Sequence, residues 1–421
     1  PLHVTLSDLL NMAGENNYEI QISESDAEAA RARFRQTKAV FLPQISAEVS
    51  GTTTTDPVNA FSFKLKQEAF TEADFNTDIL NNPGRFDHFS TKFEMRQPLL
   101  NPSGFYDRAS AKNSFMAVEQ EANATREWVR YRIKQAYYRL IVSIEQIQAV
   151  ETALEAAAEN HRNAKNLFEQ GMISKADLLA AGVRELEVEK SLIEARNLKE
   201  DMEDQLRFMI GIKTGREIIP AETLENPENR YIADLRQEEF TENSLTRSLS
   251  YRKDAAENRF RSGKLSFLPS LNAFGVYEMN DDVLFGNSGD NYTIGATLRW
   301  NLFSGFEKAG KVMQTKAELK RIDTVLEQKI EEQKLEIRKT RRALEQAQKQ
   351  LEIANASVEQ ASEDLRIRSD RYAQGLEKTS DLLSAETALL RSRLSRLNAL
   401  FLIQDSISKL ELIYENSEIN P

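Results

Sequence analysis

Few residues of this chain have a type and spacing suited to covalent chemistry. There is no cysteine, which excludes disulfides, thiolate metal sites and a cysteine nucleophile. The only histidines, His3, His88 and His161, are far apart in sequence and do not show metal-ligand spacing. No phosphate-binding loop or nucleophile constellation is present, so we assign no catalytic, metal or cofactor-binding residue and do not expect an enzyme.

Two aspartates occupy matching positions near the starts of two predicted helices. Asp177 and Asp381 are 204 residues apart, and a carboxylate in a first helical turn complements the helix dipole. Ser174 and Asp177 also match a capping box, whereas the second copy begins with Lys378 and relies on Thr379. Capping is therefore the first role expected for both aspartates.

Four charged residues, Lys92, Glu94, Arg96 and Arg299, lie on the polar side of predicted β-strands. If that side faces a water-filled lumen, these residues line a pore. If it does not, they are ordinary exposed charges. We favour a pore, because charge is costly on a lipid-facing side.

The strands that carry these charges are predicted from alternation of apolar and polar residues. They form two hairpins, at about 43–98 and 269–303, and the first has an apolar insert, residues 56–85, expected to be a packed loop with a helical turn. Aromatic residues gather at the strand ends, as in the girdle of an outer-membrane barrel. They are Phe41, Phe89, Phe267, Tyr292, Trp300 and Phe303.

Four strands cannot close a barrel, and open sheet edges do not occur in lipid. A membrane role therefore requires several copies of the chain. Two, three or four copies would give eight, twelve or sixteen strands, and the residues alone do not choose among these numbers.

Two long helices organise the rest of the chain. Residues 311–374 contain neither proline nor glycine, and apolar residues recur every seven positions, which is typical of a coiled-coil seam. About 64 helical residues extend about 95 Å, longer than an ordinary domain requires. Residues 105–170 repeat the pattern, since Leu140 and Leu344 are among several seam residues that are 204 positions apart.

The chain therefore contains an internal two-fold repeat. The first repeat is residues 1–211, with a long helix at 105–170 and a returning helix at 174–211. Residues 212–235 form a connector expected near the middle of the long helices, and the second repeat is 236–421, with helices at 306–374 and 379–414. Gly171 and Gly375 mark the turns between long and returning helices, where glycine is the usual left-handed cap.

The composition argues against nucleic-acid binding and against a transmembrane helix. The net charge of -11 argues against nucleic acid as the main partner, because binding to phosphates needs a basic surface. No run of about 18 apolar residues is present, so a transmembrane helix is not expected.

Each repeat has the same order: helix, Phe-Leu-Pro, hairpin, Ser-Gly-Phe, long helix, aromatic-x-Gln-Gly, Asp-Leu-Leu and returning helix. This duplicated order resembles the outer-membrane efflux protein (TolC-like) family over nearly the whole chain. The resemblance implies a mainly α-helical fold with β-strands: antiparallel coiled-coil helices form an α-barrel tunnel in the periplasm, and four strands join an oligomeric outer-membrane β-barrel. It also implies a homotrimer with a twelve-stranded barrel in outer-membrane lipid. The partners implied are a periplasmic adaptor protein and an inner-membrane transporter, in efflux or type I secretion.

The resemblance further implies an entrance at the helix tips that is closed and lined by acids. By position, Asp381 belongs to the constriction, with Asp177 at the other tip turn. Some members of the family have a second acid three residues further on, a position that Ser384 occupies here, and Glu377 is a candidate to compensate. Gly171 and Gly375 mark the tips where the adaptor would dock.

A soluble coiled-coil scaffold is the main alternative. It explains the long helices and their seams, but it leaves the hairpins and the duplicated motifs unexplained. The substrate of an exit duct would be drugs, metal ions or secreted proteins, and the residues do not distinguish these classes.

Overall fold

The computed structural model describes residues 2–213, 215–224 and 240–415. In chain order the α-helices and strands are β1 (Leu2–Val4), α1 (Leu6–Asn16), α2 (Tyr18–Gln36), β2 (Gln44–Thr54), α3 (Pro57–Lys66), α4 (Thr77–Asn81), β3 (Phe86–Leu100), α5 (Pro102–Glu169), α6 (Lys175–Met209), β4 (Ile218–Pro220), α7 (Ser244–Leu265), β5 (Ser270–Asp281), β6 (Gly289–Arg299), α8 (Glu307–Ala373) and α9 (Thr379–Tyr414). Two short 3-10 helices, Thr37–Val40 and Glu72–Phe75, complete the described elements. None of the described helices has an apolar stretch long enough to cross a membrane.

The residues form two compact units. One unit consists of Pro1–Ala27, Val118–Ser248 and Leu326–Pro421, and the other of Glu28–Ala117 and Leu249–Val325. Each unit therefore takes segments from both sequence repeats, so the duplication and the compact units divide the chain in different ways.

The first unit is a bundle built on the seams of α5, α6, α8 and α9. Leu140 and Leu344, the pair 204 residues apart, are both fully buried in one apolar cluster. Small seam residues such as Ala347 and Ala354 are buried as well, which lets neighbouring helices approach closely. The bundle confirms the predicted mainly helical fold with an internal repeat.

The N-terminal segment joins this bundle through a small sheet that sequence patterns did not predict. β1 pairs in parallel with β4, which lies in the predicted connector 212–235. Thr5 caps α1 in a capping box with Asp8. Residue 214 and residues 225–235 of the connector lie outside the described residues.

The second unit contains the two predicted hairpins. β2 pairs with β3 and β5 pairs with β6, all antiparallel, and β3 pairs with β5 to join the hairpins into one sheet of order β2-β3-β5-β6. β2 and β6 are the edge strands. Each leaves a row of backbone N–H and C=O groups without a strand partner within the described part of the chain.

Candidate functional site

The two tip turns have the same backbone geometry, which requires a glycine in each. Gly171 has φ +75° and Gly375 has φ +70°, in the left-handed region that L-residues with a Cβ rarely adopt. The following amides donate back to the helix they leave, Met172 N to Leu167 O at 2.9 Å and Leu376 N to Arg371 O at 3.0 Å. This is the hydrogen-bond pattern of a Schellman cap, so each long helix ends sharply and reverses.

The tips are packed together within the bundle, but the two copies differ in burial. Ala164, Tyr372 and Leu382 belong to one apolar cluster that includes residues of α5, α6, α8 and α9. Tyr372 is 2% exposed, whereas its repeat partner Phe168 is 37% exposed. Of the two repeated tips, the α8–α9 tip is therefore the more buried.

The aspartates of the two tips are held differently. Asp177 Oδ2 accepts hydrogen bonds from Ser174 N at 3.1 Å and Ser174 Oγ at 2.6 Å, and Ser174 Oγ accepts from Asp177 N at 3.2 Å. In the second copy the N-cap is Lys378, which provides no side-chain cap. Among the described residues, the carboxylate of Asp381 accepts a hydrogen bond from Ser380 Oγ alone, at 3.2 Å.

The prediction that Thr379 caps the second returning helix is wrong. Thr379 is already the first residue of α9, and its hydroxyl lies 3.2 Å from the Tyr372 hydroxyl, buried inside the tip. A residue inside the helix directs its side chain along the helix surface, so it is not positioned to accept from the first free amides. Asp381 lies in the first turn of α9, where its charge complements the helix dipole, but no cap side chain holds its carboxylate.

The other predicted entrance residues are engaged within their own helical hairpin. Glu377 forms ion pairs with Arg368 at 3.3 Å and with Arg371 at 3.2 Å, and its side chain is 12% exposed. Ser384 Oγ donates to Ser380 O at 2.7 Å. Two guanidinium groups offset the charge of Glu377, so Asp381 carries the acidic character of this tip better than Glu377 does.

The unequal caps lead to a prediction about stability. Ser174→Ala removes both hydrogen bonds of the Ser174 hydroxyl and leaves only the bond from the residue 174 amide to Asp177, so we expect it to lower the free energy of unfolding by about 1 kcal/mol. Lys378→Ser is expected to raise it by a similar amount, because Lys378 has the extended backbone of a cap and Asp381 lies three residues on. Denaturant titrations of both variants followed by circular dichroism test this, and equal effects of the same sign would contradict it.

A buried polar cluster near the tips was not predicted. Asn160 on α5 donates its side-chain amide to Glu386 on α9, and Arg184 Nε on α6 lies 3.6 Å from Glu386 Oε2. Glu386 is 6% exposed, and its burial raises the pKa of the carboxyl, against the lowering effect of Asn160 and Arg184. The heptad pattern does not predict that this glutamate is buried, because glutamates on helices are usually exposed to solvent.

Glu386 should give the bundle a specific pH dependence. A carboxyl whose pKa is raised in the folded state contributes stability at low pH, and this contribution is lost as pH rises from the ordinary carboxyl pKa through the raised one. We therefore expect the free energy of unfolding to fall with rising pH in this window by more in the native chain than in Glu386→Gln. Parallel pH profiles of thermal unfolding for the two proteins would contradict the assignment.

The sheet places the four predicted pore residues on one face. Residues paired directly in the register share a face. Lys92 pairs with Glu278, Glu94 with Val276 and Arg96 with Phe274. Arg299 pairs with Ser270, which lies on the same face of β5 as these three partners. Lys92 Nζ lies 3.4 Å from Glu94 Oε2, and Arg96 pairs with the same carboxylate. This face is called the polar face below.

The opposite face of the sheet is apolar and exposed. Tyr292 is 75% exposed and Ile294 is 78% exposed, and neither is covered by the described residues. A row of apolar residues this large is rarely left in water by a soluble protein. The other apolar members of this face are Ile45, Ala47, Val49, Phe93, Met95, Leu271, Ala273, Tyr277, Ala296 and Leu298.

Exposed aromatic residues lie where the strands meet the helices. Phe41 packs on Phe105 with ring centroids 4.8 Å apart, and Phe303 packs on Phe306 at 5.6 Å. Trp300 Nε1 donates to Phe267 O at 3.0 Å. Of the six aromatic residues predicted as a girdle, four gather at this end, while Phe89 and Tyr292 lie within strands β3 and β6.

A groove lies between α6 and α9 just behind the tips. It has a volume of about 530 Å³, and its walls include Ala180, Val183, Arg184, Leu383 and Ser384. An apolar stripe on α6 continues beside it and is exposed at heptad-like spacing, at Leu179, Val183, Leu186 and Ile193. The small and apolar residues of these surfaces are typical of a site where another helix packs, and this site is open in the single chain.

Three solved structures share the fold over nearly the whole chain. A membrane protein from Pseudomonas aeruginosa is 16% identical, with a TM-score of 0.82 over 97% of this chain and 90% of that one. The outer membrane protein VceC from Vibrio cholerae is 18% identical, with a TM-score of 0.79 over 97% and 94%. The CmeC outer membrane channel of Campylobacter jejuni is 19% identical, with a TM-score of 0.79 over 97% and 85%. At these identities the similarity shows the fold alone.

Sequence comparison identifies the family. No protein of curated function matches the chain. The pattern of the outer membrane efflux protein family, by contrast, matches residues 9–212 and 237–413, which include both repeats and all four strands of the larger sheet. The resemblance noted from the duplicated motifs is thus confirmed, and the chain belongs to the outer membrane efflux protein family.

Proposed function

We propose that this chain is the passive exit duct of a tripartite efflux pump or a type I secretion system, and that it works as a homotrimer. One observation carries the proposal: a four-stranded sheet with one exposed apolar face, one charged face and two unpaired edges. In a membrane such edges must be paired. Three copies of four strands would give a closed barrel of twelve strands, with the apolar face in lipid and the polar face lining the lumen.

The helical bundle would extend into the periplasm and dock there on an adaptor protein and an inner-membrane transporter. The groove between α6 and α9 and the exposed stripe on α6 support this proposal, since both offer apolar helix surface without a partner in the described chain. The tip turns at Gly171 and Gly375 are the proposed ends of the docking surface. The duct itself would catalyse nothing, and the transporter would supply the energy.

Asp381 is the proposed acid of the periplasmic entrance. Three copies of a carboxylate that no cap residue holds would bring negative charges together at a narrow opening. A ring of this kind favours cations over anions. Asp177 is proposed to have mainly a capping role, because its carboxylate is already held by Ser174.

Planar-bilayer recordings test both parts of this proposal. The native protein is expected to form cation-preferring channels, and Asp381→Ala is expected to lower that preference. Glu352→Gln is the matched control, because it removes an equal charge from the body of α8, where Glu352 pairs with Lys349 away from the tip. Failure of the native protein to conduct under any condition would contradict the duct, whereas equal selectivity of the native and Asp381→Ala channels would contradict only the role of Asp381.

A further inference from the structure

The insert between β2 and β3, residues 55–85, lies on the polar face of the sheet rather than beside it. Its helix α3 ends at Lys66, whose Nζ is 3.0 Å from Glu278 Oε1 on β5. The same carboxylate oxygen accepts from Ser90 Oγ on β3 at 2.9 Å. Glu278 and Ser90 both belong to the polar face, so this salt bridge holds the insert over the surface that carries Lys92 and Glu94.

A buried amide forms the second attachment. Gln67 Nε2 donates to Asp281 O at 2.8 Å and to Asp87 O at 3.1 Å, and it lies 3.2 Å from His88 Nδ1. The ring of Phe63 stacks on His88 with centroids 3.9 Å apart. Gln67 and His88 are both almost fully buried by these contacts, so the insert covers the end of the polar face nearest the hairpin loops.

The backbone of the insert also approaches the sheet closely at one glycine. A Cβ added to Gly289 on β6 would lie 2.3 Å from the carbonyl oxygen of Lys66, a distance that no side chain tolerates. Asn280, which pairs with Gly289 across the strands, is fully buried, and neither atom of its side-chain amide has a hydrogen-bond partner within the described part of the chain. The insert is therefore held on the sheet by the Lys66 ion pair, the Gln67 hydrogen bonds and the Phe63–His88 ring stack.

The insert is nevertheless packed as a body of its own. Lys64 Nζ pairs with Asp74 Oδ1 at 2.6 Å, which joins α3 to the 3-10 helix. Phe70 contacts Phe61 and Phe75, with ring centroids 5.0 and 5.2 Å away in edge-to-face geometry. The residues that pack the insert internally thus differ from Phe63, Lys66 and Gln67, which attach it to the sheet.

From these contacts we infer that residues 55–85 form an inward-folded filter at the outer end of the duct, which limits the size of solutes that pass. The inference rests on the proposed function, because it takes the polar face as the wall of the lumen. Three inserts in a trimer would each project from that wall and narrow the same opening. Larger solutes would pass only when the Lys66 and Gln67 contacts are released.

A cysteine behind the filter reports its state. The native chain has no cysteine, so Ser46→Cys introduces the only thiol. Ser46 pairs with Glu94 on the polar face, one row of that face further from the insert than Lys92, and it is exposed. Small and large hydrophilic maleimides added outside intact cells would reach it through the outer opening, and Ile45→Cys on the apolar face is the lipid-facing reference.

Two pairs of variants are compared. In each pair, one variant is designed to release the insert from the sheet and the other to leave it in place. Gly289→Ala forces α3 away from β6, while Gly275→Ala adds the same methyl group where its nearest neighbour is Ile294 at 4.0 Å. Lys66→Met removes the ion pair to the sheet, and Lys64→Met removes an equal charge whose partner is inside the insert. The lysine pair keeps the test decisive if Gly289→Ala fails to fold.

We expect the small maleimide to label Ser46→Cys at the same rate in every background and to spare Ile45→Cys. The large maleimide should label Ser46→Cys slowly in the native, Gly275→Ala and Lys64→Met backgrounds and faster in Gly289→Ala and Lys66→Met. Equal labelling by the large reagent in all five backgrounds would overturn the filter and leave the duct intact. No labelling of Ser46→Cys by the small reagent would overturn the lumen assignment and the filter with it.

Discussion

Ile294→Arg is expected to lower the stability of the membrane-inserted protein by about 2–4 kcal/mol, the cost of a lipid-facing arginine near the middle of a barrel. Ile294 is 78% exposed on the apolar face of β6. In a soluble protein an exposed substitution of this kind changes stability by only about 0.5 kcal/mol. Folding titrations in lipid vesicles therefore distinguish a lipid environment from water at this face.

Thr293→Arg is the matched control for that experiment. Thr293 precedes Ile294 on the same strand, is exposed, and pairs with Val276 on the polar face. A charge there would face the water of the lumen, so we expect little loss of stability. Equal costs for the two arginines would show that the faces do not differ in environment, which contradicts the proposed barrel.

The second large effect is expected in the helical bundle. Leu140→Ala and Leu344→Ala should each lower the free energy of unfolding by about 2–5 kcal/mol, because each leaves a cavity in a packed core. The two leucines are 204 residues apart and are both fully buried in the same cluster. Similar costs in the two variants would show that the duplicated seams contribute equally to the bundle.

Leu376→Ala serves as the control in the same denaturant series. Leu376 is a leucine of the α8–α9 tip turn that is 64% exposed, so its truncation is expected to be nearly neutral. A loss for Leu140→Ala or Leu344→Ala no larger than that for Leu376→Ala would contradict the assignment of the seams as core.

The long helices and the hairpins are predictable because their signals are local. Seven-residue spacing through Leu140 and Leu344 indicates the seams, and alternation along β6 indicates a two-faced strand. The pairing of β3 with β5 has no such signal, since it joins segments that are far apart in the sequence and each hairpin is already complete without it. The short parallel pair β1–β4 is missed for the same reason.

The candidate site is predictable only in part. The left-handed turns at Gly171 and Gly375 and the capping box of Asp177 follow from residue type and position. The two arginine partners of Glu377 depend on how the tip turn folds back on α8, and the burial of Glu386 depends on how neighbouring helices pack; spacing along one helix specifies neither. The attachment of Lys66 to Glu278 likewise joins residues 212 positions apart.

The alternative of a soluble scaffold depends on the surroundings of the apolar face. The described residues leave Tyr292 and Ile294 uncovered, and a scaffold would expose this surface to water. Large exposed apolar patches favour association or aggregation. A protein that stays soluble and dimeric without detergent would support the scaffold over the duct.

The most direct measurement is a cysteine scan along β6 of the protein in lipid, read by a water-soluble maleimide. The account predicts alternation, with labelling at Thr293, Thr297 and Arg299 and protection at Tyr292, Ile294 and Ala296. Labelling of all six positions at similar rates would contradict a wall that has water on one side and lipid on the other.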